Sequence, residues 1–402
     1  MQFDLARAVR EATELTRARK LMDATRTIQK ALSGGRARDE AASPPPPEND
    51  PTETLLLPQR PAKEEPGGPA HSDRRPFPGK LGPRLKWSLG DVVKTLRQAK
   101  FRGPASDPLR HKVHGTPKIT DGAQFLTRSF TASAGSRTYK LYIPASRETA
   151  GLPLIVMLHG CTQDPDDFAV GTRMNGLAEE LGFLVAYPWQ PATANPSSCW
   201  NWFERKDQMR GQGEPSIISG LTDEVASDYH LDRSRVFVAG LSAGGAMAAV
   251  MAETYPDIYA AIGVHSGLAY GSASDVMSAF AAMRGEIGAP LGSRGPSSAT
   301  PRAIVFHGDA DRTVHPANGA RIVGPSDSRP GDATEVEYGM AGGRSYTRTV
   351  TLGGNGTGRN EHWLIAGAGH AWSGGNPEGS YTDAAGPDAS REMVRFFLDV
   401  DR

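Results

Sequence analysis

Apolar residues change their spacing twice along this chain. Residues 1–33 hold no Gly or Pro, and Leu5, Val9, Ala12, Leu15, Met22, Ile28 and Leu32 recur at roughly helical spacing until Ser33-Gly34-Gly35 ends the pattern. This predicts an amphipathic helix or helical hairpin over 1–35. Twelve prolines then crowd residues 44–83, beginning with PPPP at 44–47. Such a stretch cannot build a core, so 36–114 reads as a Pro-rich, mostly disordered linker, with one short helix expected around Asp91–Lys100.

From 115 to 402 the rhythm is that of alternating strands and helices. AQFLTRSF and RTYKLYIP predict an opening antiparallel pair. LPLIVMLHG (152–160) is almost continuously apolar, as a strand buried on both faces should be. A helix over Asp167–Leu181, the strand FLVAYP (183–188), a helix near Leu221–Tyr229 and the strand RVFVAG (235–240) follow. AAIGVHSG (260–267), RAIVFHG (302–308) and EHWLIAG (361–367) predict further strands, and Asp388–Leu398 the last helix. The order implies an α/β domain with a mostly parallel central sheet and helices on both faces. Functional residues of such sheets gather at the carboxyl ends of the strands. Here those ends read HGCTQ, GLSAGG, HGDADRTV and GAGHAWSGG.

The GLSAGG end carries the sharpest chemistry. Gly240-Leu241-Ser242-Ala243-Gly244 fits G-x-S-x-G between a buried strand and a small-residue helix. A nucleophilic Ser needs a strained turn that exposes Oγ, and glycines two positions away let neighbouring backbone approach. Its hydroxyl also needs a base, oriented by an acid, in the chain order Ser, acid, His. His370, after LIAGAG at a strand end, is the candidate base. His362 falls within the strand, His315 lies too close to the acid loop, and His265 and His307 read as satisfied, partly buried histidines. Asp311 is the preferred acid, with Asp309 as the alternative in the same loop. The backbone N–H groups of Ala243 and Cys161 are the candidate oxyanion hole.

Composition narrows the setting. Lys plus Arg equals Asp plus Glu at 45 each, but residues 1–110 hold 21 basic against 14 acidic groups and the remainder 24 against 31. The domain is mildly acidic, which argues against a nucleic-acid partner. The basic N-terminal helix is expected to serve self-association, with a membrane surface as the alternative. No apolar stretch reaches 18 residues, so no transmembrane segment is expected, and the charged start has no signal-peptide core. Two cysteines, Cys161 and Cys199, are too few for a zinc cluster, and the sequence alone leaves a bridge and two thiols equally open. No metal motif is present, and Ser-His-Asp chemistry requires no cofactor.

LPLIVMLHGCTQDPDDFAVGTRMNGLAEELGFLVAYPWQ, CWNWF, VFVAGLSAGGAMA, HGDADRTVHPANG and GAGHAWSGG, in this order over roughly 120–400, resemble the esterases of the polyhydroxybutyrate (PHB) depolymerase family, which are α/β-hydrolases. The resemblance implies the triad Ser242, Asp311 and His370, and a serine esterase acting on poly(3-hydroxybutyrate), related short-chain polyhydroxyalkanoates or their oligomers. Feruloyl and acetylxylan carbohydrate esterases share its motifs and stand as the alternative. It implies a Cys161–Cys199 disulfide holding the oxyanion loop, and a substrate groove lined by Trp200, Trp202 and Trp372. It also implies an extracellular protein, against which the missing signal peptide leaves the cytoplasm as the alternative.

Overall fold

The computed structural model describes residues 115–145, 148–286, 301–324, 333–352 and 358–398. The helix expected over 1–35, the linker over 36–114 and the helix at 91–100 lie outside these residues. Among the described residues, no helix is long and apolar enough to cross a membrane.

β1 (Gln124–Ala132) and β2 (Gly135–Ile143) form the antiparallel hairpin that opens the domain, and β2 pairs antiparallel with β4 (Leu184–Pro188). Six parallel neighbours then run in the order β4, β3 (Leu154–Leu158), β5 (Val236–Leu241), β6 (Ala261–His265), β7 (Arg302–Gly308) and β10 (Gly358–Ile365). The far edge is a second antiparallel hairpin, β9 (Arg344–Leu352) and β8 (Ala333–Ala341).

Period-2 alternation divides the core into two layers. Leu154, Val156, Leu158, Val238 and Val264 face one side, against Ile218, Leu221 and Val225 of α3 (Gly213–Asp228) and the length of α4 (Ala243–Thr254). Ile155, Met157, Phe237, Ala239 and Phe306 face the other, against α1 (Pro165–Thr172), α2 (Met174–Leu181) and α5 (Ala389–Leu398). Both faces being covered is why these strands read as unbroken apolar runs.

Three boundaries differ from the sequence reading. The helix expected over 167–181 is two, broken at Arg173, whose φ of 55° ends α1 while its guanidinium reaches Gly374 O and Asp388. α3 begins at Gly213, eight residues before the predicted start, because Pro215 sits in its first turn, where a missing N–H costs nothing. The β8–β9 hairpin was not anticipated, since its outer strand is exposed and carries no buried apolar run. Its signal is Gly342-Gly343, both at positive φ, between two alternating segments.

Candidate active site

Ser242 ends β5 at φ 57° and ψ −117°, a strained conformation for a residue with a side chain. The backbone is held on both sides: its N–H donates to His265 O at 2.9 Å, and its carbonyl accepts from Ala246 N at 2.9 Å. The flanking glycines are a steric requirement. A Cβ on Gly240 would lie 2.7 Å from Leu158 O. A Cβ on Gly244 would lie 2.6 Å from His159 O and nearer still to Leu158 O. The start of α4 thus rests directly on the end of β3, and Ser242 stays half-buried at the sheet's carboxyl edge.

The loops after β7 and β10 are laced together before either functional side chain appears. Asp309 N donates to Ile365 O, Ala310 N to Ala368 O, and Gly367 N to Asp309 Oδ1. Asp309 is thereby committed to the loop backbone. Asp311, two residues on, is buried. Its Oδ1 accepts from Thr313 N (2.8 Å) and Val314 N (2.9 Å), and its Oδ2 accepts from His370 Nδ1–H at 2.7 Å. Burial opposes its charge, but hydrogen bonds from His307, His370 and Val314 N–H prevail and hold the carboxyl well below the usual carboxylate range. The bond to Asp311 places a His370 ring proton on Nδ1 and leaves Nε2 as the other ring nitrogen.

The loop carrying His370 leaves β10, crosses β7 and ends at Ser373, whose N–H donates to His265 Nε2 at 3.0 Å. His265 closes β6 and its carbonyl accepts from Ser242 N, so the loop that carries His370 ends on the strand beside the serine. His265 itself is buried and sandwiched between Phe306 and Trp372, with centroids at 5.9 and 5.2 Å. Burial, then His307 and His370, lower its pKa from 6.5 to about 3. The unfolded chain therefore takes up a proton that the fold excludes. This contribution to stability is whole above pH 6.5 and is lost as pH falls toward 3. Relative to His265→Gln, the wild-type unfolding free energy should drop by up to about 1.4 kcal/mol per pH unit across that window. Urea titrations of both proteins from pH 7 to 4 measure it.

The loop after β3 is braced at every residue. His159 Nδ1–H donates to Gly160 O and its Nε2 accepts from Gln190 N, while Gly160 N donates to Gln163 Oε1. Gln163 Nε2 reaches Asp167 and Ser380, and Thr162 N donates to Ser197 O. Cys161 and Cys199 are joined by a disulfide across 38 residues of sequence. The Cys161 N–H meets no acceptor among the described residues, and Ala243 opens α4 with the orphan N–H of a helix start. Reducing the bridge should lower both kcat, by about tenfold or more for a misplaced oxyanion donor, and stability, by about 3–4 kcal/mol. Activity and melting temperature across a dithiothreitol titration, with Cys199→Ser as the fixed endpoint, measure both.

The three tryptophans assigned to a substrate groove are instead packed inside. Trp200 is fully buried and donates from Nε1 to His159 O at 3.1 Å. Trp372 is buried, donates to Ser390 Oγ and meets Phe168 edge-on. Trp202 is 6% exposed, against Phe203. The Trp200 ring supports the loop after β3 and the Trp372 ring stacks on His265, so the apolar matter that they cover is the protein's own. Spacing along the chain gives no prominence to Gln163, Asp167 and Ser380, which lock the loop after β3 to the segment after β11 (Trp372–Ser373). Gln163 and Asp167, four residues apart in HGCTQDPDD, are the available sign.

A parallel sheet with a serine at a strand–helix elbow and an Asp–His pair on two later strand ends is the architecture of the α/β-hydrolase fold. Residues 137–325 match the family described as Esterase PHB depolymerase. Poly(3-hydroxyalkanoate) depolymerase C of Paucimonas lemoignei is 34% identical over 255 residues, 60% of this chain and 60% of that protein. Feruloyl esterase B of Neurospora crassa is 32% identical over 190 residues, 44% of this chain and 64% of its own length. The chain thus spans about 60% of the length of these relatives. The solved acetyl xylan esterase of Aspergillus awamori shares the fold, with a TM-score of 0.52 at 22% identity over 69% of this chain and 99% of that one.

Proposed function

We propose that the protein is a serine carboxylic-ester hydrolase acting on short-chain polyhydroxyalkanoate esters or their oligomers. The observation that carries the reading is the buried Asp311–His370 pair at 2.7 Å, on a loop that ends against the histidine beneath Ser242. In this mechanism His370 Nε2 removes the Ser242 proton as Oγ attacks the ester carbonyl. The N–H groups of Ala243 and Cys161 receive the developing oxyanion. The alcohol leaves with the proton from His370, and the acyl group remains on Oγ. Water, deprotonated by His370, then releases the acid and restores the serine.

Similarity to a poly(3-hydroxyalkanoate) depolymerase over the longer span supports a polyester substrate. Similarity to a feruloyl esterase and to an acetyl xylan esterase supports aryl and xylan esters as the second reading. The triad chemistry serves either. Hydrolysis of amorphous poly(3-hydroxybutyrate) and p-nitrophenyl butyrate, set against methyl ferulate and acetylated xylan, separates them. Turnover of the butyrate ester and the polymer supports the first. Turnover confined to ferulate or xylan acetate replaces it with the second.

A further inference from the structure

Asp311 is held by a second histidine that the triad does not use. His307, the penultimate residue of β7, is fully buried. Its Nε2 lies 2.9 Å from Val314 O and 3.5 Å from Asp311 Oδ2, and Val314 N in turn donates to Asp311 Oδ1. Both neighbours of Nε2 are acceptors, so Nε2 must carry the ring proton. That leaves Nδ1 as an acceptor without a partner, buried where a Cβ on Gly319 would lie only 2.8 Å away. A buried polar atom left unpaired is costly, and the fold retains this one for the sake of the opposite edge of the ring.

We infer that His307 is a positioning residue for the acid: its Nε2–H bonds Val314 O with Asp311 Oδ2 3.5 Å away, which closes the 311–314 turn and tempers the carboxylate that faces His370. The ring does not contact the reacting atoms. It acts by fixing where Oδ2 points and how strongly that oxygen accepts from His370. The other titratable groups around the pair are His265 on β6, which burial keeps neutral, and His362 on β10, whose pKa burial lowers to about 4. Asp309 faces the loop backbone instead. Among the described residues His307 is the other N–H group facing Oδ2, and its loss makes Asp311 a stronger acceptor for His370 and His370 a stronger base.

The inference rests on the triad reading, and three variants test it. His307→Leu removes the donor at similar volume. His307→Gln returns an N–H to the place of Nε2. His307→Asn is equally polar, but its amide reaches only as far as Nδ1. Expected for His307→Leu and His307→Asn are a kcat on p-nitrophenyl butyrate lowered about tenfold or more, a KM within about twofold of wild type, and an acid limb of kcat/KM moved to higher pH. His307→Gln should recover most of kcat and the wild-type limb. The His370 Nδ1–H proton resonance, read by NMR on the same proteins, should move in Leu and Asn and return in Gln. An unchanged resonance in a folded Leu or Asn variant, or a Gln variant as impaired as Asn, overturns the inference. If Leu fails to fold, the Gln–Asn comparison decides. The resonance is read without turnover, so an inactive wild type would count against the esterase reading while leaving this test standing.

Discussion

Ser242→Ala should lower kcat on p-nitrophenyl butyrate by on the order of 10⁵-fold while leaving the circular dichroism spectrum and melting temperature close to wild type. The size follows from the chemistry: without Oγ there is no acyl-enzyme, and His370 has no proton to remove. The fold should tolerate the change because the residue's structural work is done by its backbone. Its N–H is held by His265 O and its carbonyl by Ala246 N. Alanine meets the same φ of 57° without adding atoms. Near-normal turnover by the folded variant would remove Ser242 from the mechanism and with it the proposed function.

Gly244→Ala, two residues on, should be the more damaging change to the protein itself. The added methyl would be driven into the Leu158 and His159 carbonyls, and neither is a flexible side chain that can step aside. β3 is buried along its whole length and paired on both sides, so relief requires moving α4 off the sheet. That would disturb the elbow and the oxyanion loop together. Overpacking of a tight core contact costs about 1–3 kcal/mol and more where backbone blocks backbone. The expected outcome is poor soluble yield, or a folded fraction with a melting temperature lower by at least about 5 °C and no measurable esterase activity. Thermal denaturation alongside active-site labelling with a fluorophosphonate measures both. A stable, labelled Gly244→Ala protein would show that α4 and β3 can separate at this point.

Much of this site was legible in the chain because its logic is local. G-x-S-x-G must be a turn, since only there do glycines four apart both meet foreign backbone. Strands buried on both faces cannot alternate, so LIVML and VFVAGL declare themselves. The choice of Asp311 over Asp309 was only partly legible. Both follow β7, and what separates them is that Gly367 N–H claims Asp309 while Thr313 and Val314 turn Asp311 inward toward His370. The tryptophans misled because an aromatic beside a catalytic motif looks the same in sequence whether its ring faces a ligand or the protein. Trp200 and Trp372 find acceptors in His159 O and Ser390 Oγ, contacts 41 and 18 residues away that no spacing reveals.

The amino-acid order by itself determined the parallel α/β sheet and the elbow at Ser242. These follow from periodicity and from the steric demands of glycine, which act over a few residues. Only the tertiary structure decided which acid meets His370, where the tryptophans go, that β8 and β9 extend the sheet, and that His307 stands behind Asp311. Each of those depends on which distant group competes for one hydrogen bond or one buried volume. That competition is settled when the strands are brought side by side, and it leaves no periodic mark along the chain.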